Sequence, residues 1–221
     1  QEINAMGAET LFVQADLSKL EDIQLLVMQT LEKFKRIDIL FNNAGIGRVD
    51  WFENHTPERD IDLLIRVNLI GLMQVTRAVL PQMIEQGSGH IINMSSVAGL
   101  IASPLITSYS ASKFGARAFT DSLRREVAPL GIKVSGIYPG PAATEFGQHV
   151  GESKTYNSFR SKFNIRMTSE YVAKRVVDVA KRPRRSLVLP WWFNIIIALD
   201  VLFPALVDGI AYIFSRIKHN K

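Results

Sequence analysis

The chain has 221 residues, 47% of them hydrophobic and 21% charged, enough to bury roughly 70% of its unfolded surface, which excludes disorder and leaves room for one domain with or without an appendage. With no cysteine, a disulfide framework and a thiol nucleophile are excluded, and four histidines (55, 90, 149, 219) never paired at i+3 or i+4 argue against a catalytic metal, a composition that fits a reducing, cytoplasmic compartment without demanding one. The net charge of +5 is uneven: residues 1–159 hold 14 basic and 17 acidic side chains, residues 160–221 hold 12 and 4.

In chain order, Leu11–Ala15 reads as a short strand, and Ile23, Leu26, Val27, Leu31 and Phe34 then recur at helical spacing. Ile37–Phe41 is a second strand. Glu58–Gln86 is a long helix stopped by Gly87 and Gly89, and His90–Met94 a third strand. A helix from about Ser108 to Ala128, closed by Pro129 and Gly131, leads to the strand Ile132–Tyr138 and its Pro139-Gly140 stop. Ser169–Arg182 is helical and Ser186–Leu189 is a fifth strand. Short apolar runs alternating with amphipathic ones imply an α/β fold, a doubly wound parallel sheet over residues 1–189.

Such sheets hold ligands at the carboxyl ends of their strands. Asp16, Asn42-Asn43-Ala44-Gly45, Ser95-Ser96 and Pro139-Gly140 all fall there. Within the helix after the third strand, Tyr109 and Lys113 share one face by their i, i+4 spacing, and Ser96 lies 13 residues before Tyr109. A free phenol near pKa 10 is a poor acid-base group at pH 7, but an adjacent cation favours phenolate, and a serine hydroxyl can hold a carbonyl or carbinol oxygen beside it. Read by themselves, Asp16 also fits a helix cap, and Asn68, in the long helix, fits a kink residue bonded to backbone.

Together these residues resemble the short-chain dehydrogenases/reductases, over residues 9 to about 145. The resemblance rests on Asp16, Asn42-Asn43-Ala44-Gly45, Asn68, Ser96, Tyr109, Lys113 and Pro139-Gly140-Pro141-Ala142-Ala143-Thr144. It implies a Rossmann-like fold and an NAD(P)-dependent oxidoreductase interconverting a secondary alcohol and a ketone. Tyr109 would be the acid/base, Ser96 would orient the substrate oxygen and Asn68 would hold a relay water. Lys113 would serve both Tyr109 and the nicotinamide ribose. For NAD or NADP, the resemblance assigns Asp16 and Leu17 to the adenine, Asn42, Ala44 and Gly45 to the adenosine side, and Pro139, Gly140, Ala142 and Thr144 to the carboxamide and phosphate end.

The family opens with a strand and a glycine-rich loop that binds pyrophosphate at a helix N-terminus. No such loop occurs in this sequence, so the expectation is a sheet lacking its first strand-helix-strand unit, in a piece of a longer product that opens on Gln1. The same absence makes a non-catalytic SDR-like protein, held to a membrane or to a partner, the alternative reading. Residues 190–221 form an apolar C-terminal extension. Asp200, Pro204, Asp208, Tyr212 and Arg216 lie on one i+4 row, which suggests a single apolar helix with a polar stripe, kinked near Pro204. It would lie on a membrane surface, or else lid the pocket or join two copies in a homo-oligomer. No stacking platform for nucleic acid is present.

Overall fold

The computed structural model describes residues 2–143, 146 and 167–219. Its centre is a parallel sheet of β1 (Ile39–Asn42), β2 (Gly89–Met94), β3 (Ile132–Pro139) and β4 (Ser186–Leu189), in the spatial order β1-β2-β3-β4. Helix α1 (Leu20–Phe34) leads into β1. The crossovers carry α2 (Pro57–Gln86, a run of α and π turns), α3 (Thr107–Val127) and α4 (Ser169–Lys181). A two-residue ladder joins Ala142–Ala143 to Met167–Thr168.

Side chains alternate across a strand, and β2 shows what that does in a sheet covered on both faces. Ile91 packs with Val27, Val79, Met83, Leu123 and Val127, from α1, α2 and α3. Its neighbour Ile92 packs on the other face with Ile137, Leu187, and Val176 and Val179 of α4. This two-sided burial is why β2 reads as an unbroken apolar run. By length and composition α2 could cross a membrane, yet Leu64, Leu72, Val75, Val79 and Met83 are buried, and it is a core helix of this sheet.

Register at the start of β2 and β3 is set by two glycines. Gly87 ends α2 in the left-handed region (φ +62°). Gly131 (φ +76°) lies so close that a Cβ there would stand 2.4 Å from the Gly87 carbonyl oxygen, and any side chain would push the two strand entries apart.

Two expectations are corrected. Leu11–Ala15 is not a strand. A strand exists through its ladder, and among the described residues nothing pairs with this segment or with the outer edge of β1. Phe12 is consequently 90% exposed. The apolar tail is not one kinked helix either. Phe203 leaves helical geometry (φ −135°, ψ 58°) because a residue before proline is pushed out of the α region, and α5 (Phe193–Leu202) and α6 (Pro204–His219) meet at 107°. The proposed polar row is split between two axes.

Candidate active site

The expected residues gather at the carboxyl edge of the sheet. Beyond β2 the chain turns at Ser95 and Ser96. Ser95 is buried and its Oγ donates to the Lys113 carbonyl at 3.1 Å. Gly99 makes that approach possible, since a Cβ there would stand 2.5 Å from the same oxygen. Ser95 therefore anchors the turn to α3. Ser96, half-buried, accepts from the Ala98 amide at 3.1 Å and donates to the Pro139 carbonyl at 3.3 Å, so its hydroxyl spans the ends of β2 and β3.

Tyr109 and Lys113 sit in the first two turns of α3. The Lys113 ammonium lies 5.7 Å from the centre of the Tyr109 ring, and the Phe146 ring centre lies 5.8 Å from it. Lys113 is 4% exposed, and Nζ donates to the Met94 carbonyl at 3.1 Å. Burial alone holds its pKa far below the ordinary lysine value, at about 8.

Asn68 lies in a π turn of α2, 1% exposed. Its Oδ1 accepts from the Ile46 amide at 2.8 Å, while Nδ2 donates to the Ile46 carbonyl at 2.8 Å and to Ser112 Oγ at 3.1 Å. Ser112 in turn donates to the Tyr109 carbonyl at 2.7 Å. Asn68 thus ties the loop after β1 to the turn of α3 that carries Tyr109.

The remaining residues occupy two rims. On one, Asp16 closes an Asx turn, accepting from the Ser18 amide and hydroxyl at 2.9 and 2.8 Å, and these bonds hold its carboxyl below the usual range. Leu17 presents its carbonyl to Gly71, where a Cβ would stand 2.5 Å away. Asn42 is committed to structure, donating to Thr76 Oγ1 at 3.0 Å and to Asn93 Oδ1 at 2.9 Å. Ala44 is exposed, and a Cβ on Gly45 would lie 3.0 Å from Asn68 Oδ1 and 3.5 Å from Lys113 Nζ. On the other rim, the Gly140 amide donates to the Leu189 carbonyl at 2.7 Å and Ala142 enters the short ladder with Met167. Thr144 lies outside the described residues.

This geometry fits a nicotinamide nucleotide. An ammonium has three protons, and Lys113 directs one to Met94, leaving a buried charge with donors suited to sugar hydroxyls. Gly45 keeps the space beside it bare of side chain.

Four structural contributors escaped the sequence reading. Ser112 links Asn68 to Tyr109, and its signal was its place inside Tyr109-Ser110-Ala111-Ser112-Lys113. Thr76, Asn93 and Thr120 continue the bonds of Asn42 across the sheet, Asn93 Nδ2 donating to Thr120 Oγ1 at 2.9 Å. No local pattern distinguishes those three from ordinary core polar residues.

A family model described as short chain dehydrogenase matches residues 1–155. A 3-oxoacyl-[acyl-carrier-protein] reductase of Synechocystis sp. is 40% identical over 149 residues, covering 67% of this chain and 60% of that protein. A "dehydrogenase/reductase SDR family protein 7-like" of Drosophila melanogaster is 35% identical over 178 residues, covering 79% and 54%. The chain thus spans a little over half the length of these curated relatives. Among solved structures, a short chain dehydrogenase/reductase from Burkholderia phymatum in complex with NAD superposes with a TM-score of 0.83 over 93% of this chain and 79% of that one, at 23% identity. That likeness is one of fold, and it matches the doubly wound sheet described above.

Proposed function

Because the chain belongs to the short-chain dehydrogenase family, we propose that it is an NAD(P)-dependent oxidoreductase interconverting a secondary alcohol and a ketone. The observation that carries this reading is the buried Lys113 ammonium beside the Tyr109 ring, on the strand edge that also holds Ser96. When bound, the nicotinamide supplies or accepts the hydride. The chain does the proton chemistry. In the reductive direction the Ser96 hydroxyl turns its one proton from the Pro139 carbonyl to the substrate's carbonyl oxygen, and the Tyr109 hydroxyl delivers a proton to that oxygen as charge develops. Lys113 favours the resulting phenolate and offers its remaining donors to the ribose. Asn68 fixes the turn that aims Tyr109, and the resemblance implies that it also holds a relay water.

Asp16, Leu17, Asn42, Ala44, Gly45, Pro139, Gly140, Ala142 and Thr144 are the proposed cofactor surface. Residues 1–189 are taken as the catalytic unit and 190–221 as an extension. The extension supports a lipophilic substrate and a cytoplasmic setting at a membrane surface.

The test uses the 221-residue chain and a version preceded by the strand-helix-strand opening of a relative. Nicotinamide fluorescence reads cofactor binding, and absorbance reads turnover of a panel of ketones that includes a 3-oxoacyl thioester. Binding and turnover by the extended version are expected. An extended, folded version that binds neither NADH nor NADPH would overturn the reading.

A further inference from the structure

The apolar extension is the largest feature that the proton chemistry leaves unused. No residue of α5 is buried, although a helix whose only polar residues are Asn194 and Asp200 is ordinarily packed in a core. Ile195, Leu199 and Leu202 line one side of α5, while Val201, 71% exposed, points well away from them. A folded partner that covered one side would leave the other in water. The boundary of a fluid apolar phase can wet both of these sides and leave Asp200 at the water.

The dimensions decide how the segment meets such a phase. Ten residues of α5 span about 15 Å, half of a hydrocarbon core of about 30 Å. The 107° turn at Phe203 prevents α5 and α6 from forming one straight span. The segment therefore does not form one straight spanning helix, and a placement along the interface suits its bend. Trp191, 71% exposed, sits at its entrance, as tryptophan does at headgroup depth. Against Asp200 and Asp208 the extension carries Arg216, Lys218 and Lys221, all three near its end, where they complement an anionic surface.

The extension also begins at the active-site edge. A Cβ on Gly140 would meet the Phe193 ring at 2.6 Å, and Gly140 follows Pro139, whose carbonyl accepts the Ser96 hydroxyl. The first turn of α5 is thereby packed against the rim of the site.

We propose that α5 and α6 dock this protein on an anionic bilayer surface with the mouth of the Ser96–Tyr109 site facing the lipid, so that it takes its alcohol or ketone from the membrane. The docking stands on the exposed helices alone, whereas the substrate class rests on the oxidoreductase reading. Docking is measured by flotation with vesicles of phosphatidylcholine and phosphatidylglycerol against vesicles of phosphatidylcholine alone, without cofactor. The intact chain is expected to float with anionic vesicles, and 1 M salt to weaken the binding only in part, because apolar insertion is not screened. Val201→Glu and Leu206→Glu, tested singly and together, are expected to lower the floated fraction at least about tenfold with unchanged circular dichroism.

A protein that ignores vesicles and forms a dimer abolished by the same substitutions would overturn the proposal in favour of a second copy. Floating of a folded version that carries the strand-helix-strand opening and is inactive would overturn only the oxidoreductase reading. For the substrate, Val201→Glu in the version carrying the strand-helix-strand opening is expected to leave turnover of a water-soluble ketone unchanged and to slow turnover of a bilayer-dissolved one. Equal rates on both would overturn delivery from the membrane.

Discussion

Lys113 concentrates most of the electrostatics of the site. Its pKa of about 8 in the folded state lies below that of an exposed lysine in the unfolded chain, so between roughly pH 8 and 10.5 the unfolded chain binds more protons. Stability from this residue therefore rises with pH across that window, by about 3 kcal/mol in all, and is flat below it. Urea unfolding at pH 7.5 and pH 10 is expected to show this rise in the intact chain and to lose it in Lys113→Met. The same rise in both proteins would show that the side chain is not desolvated as described. Asn68 works by geometry. Asn68→Leu breaks the bonds to Ile46 and Ser112, leaves buried groups unpaired at about 1 to 3 kcal/mol each, and is expected to lower kcat more than it raises KM for the ketone, because the aim of Tyr109 is what is lost. An unchanged kcat with a lowered Tm would reduce Asn68 to a packing residue.

The elements were legible in the sequence to different degrees, for physical reasons. The helices α1 to α4 and the strands β1 to β4 were visible because apolar periodicity and glycine or proline stops are local signals. Leu11–Ala15 carries the same local signal, and it fails as a strand because pairing is decided by residues far away in sequence. The break at Phe203 was legible only as a kink, since proline signals interruption but not the angle. Of the proposed site, the spacing of Ser96, Tyr109 and Lys113 was visible in the sequence, and their proposed roles come from the family resemblance. The Ser112 link was not, because a serine in a helix has no sequence mark of its partner. Gly71 shows how packing carries over to binding. Gly71→Ala would drive a methyl group into the Leu17 carbonyl, and is expected to destabilise by about 1 to 3 kcal/mol while displacing the Asp16–Leu17 rim. Weaker NAD(P)H binding by Gly71→Ala in a folded version carrying the strand-helix-strand opening is the predicted result, and unaltered affinity would remove that rim from the cofactor surface.

At the scale of the whole molecule, the sheet is covered on both faces but open along β1. Ile39 and Phe41 are 48% and 39% exposed there, beside an extended segment that has no ladder. An open edge of this kind sets unpaired backbone groups against a net stability that in a typical domain is only about 5 to 15 kcal/mol. The 221-residue chain by itself is therefore expected to melt broadly, with a midpoint that NAD and NADP do not move. A sharp transition raised by either cofactor would contradict this, because a ligand raises the midpoint only by binding the folded state. The central claim, that Tyr109 is the acid/base of a hydride-transfer site, is tested most directly by the kcat of Tyr109→Phe in the version carrying the strand-helix-strand opening. Removing one hydroxyl leaves the ring and the Lys113 contact in place, so cofactor affinity should hold while kcat falls at least about 100-fold. Retention of more than about a tenth of the parent kcat would contradict the account.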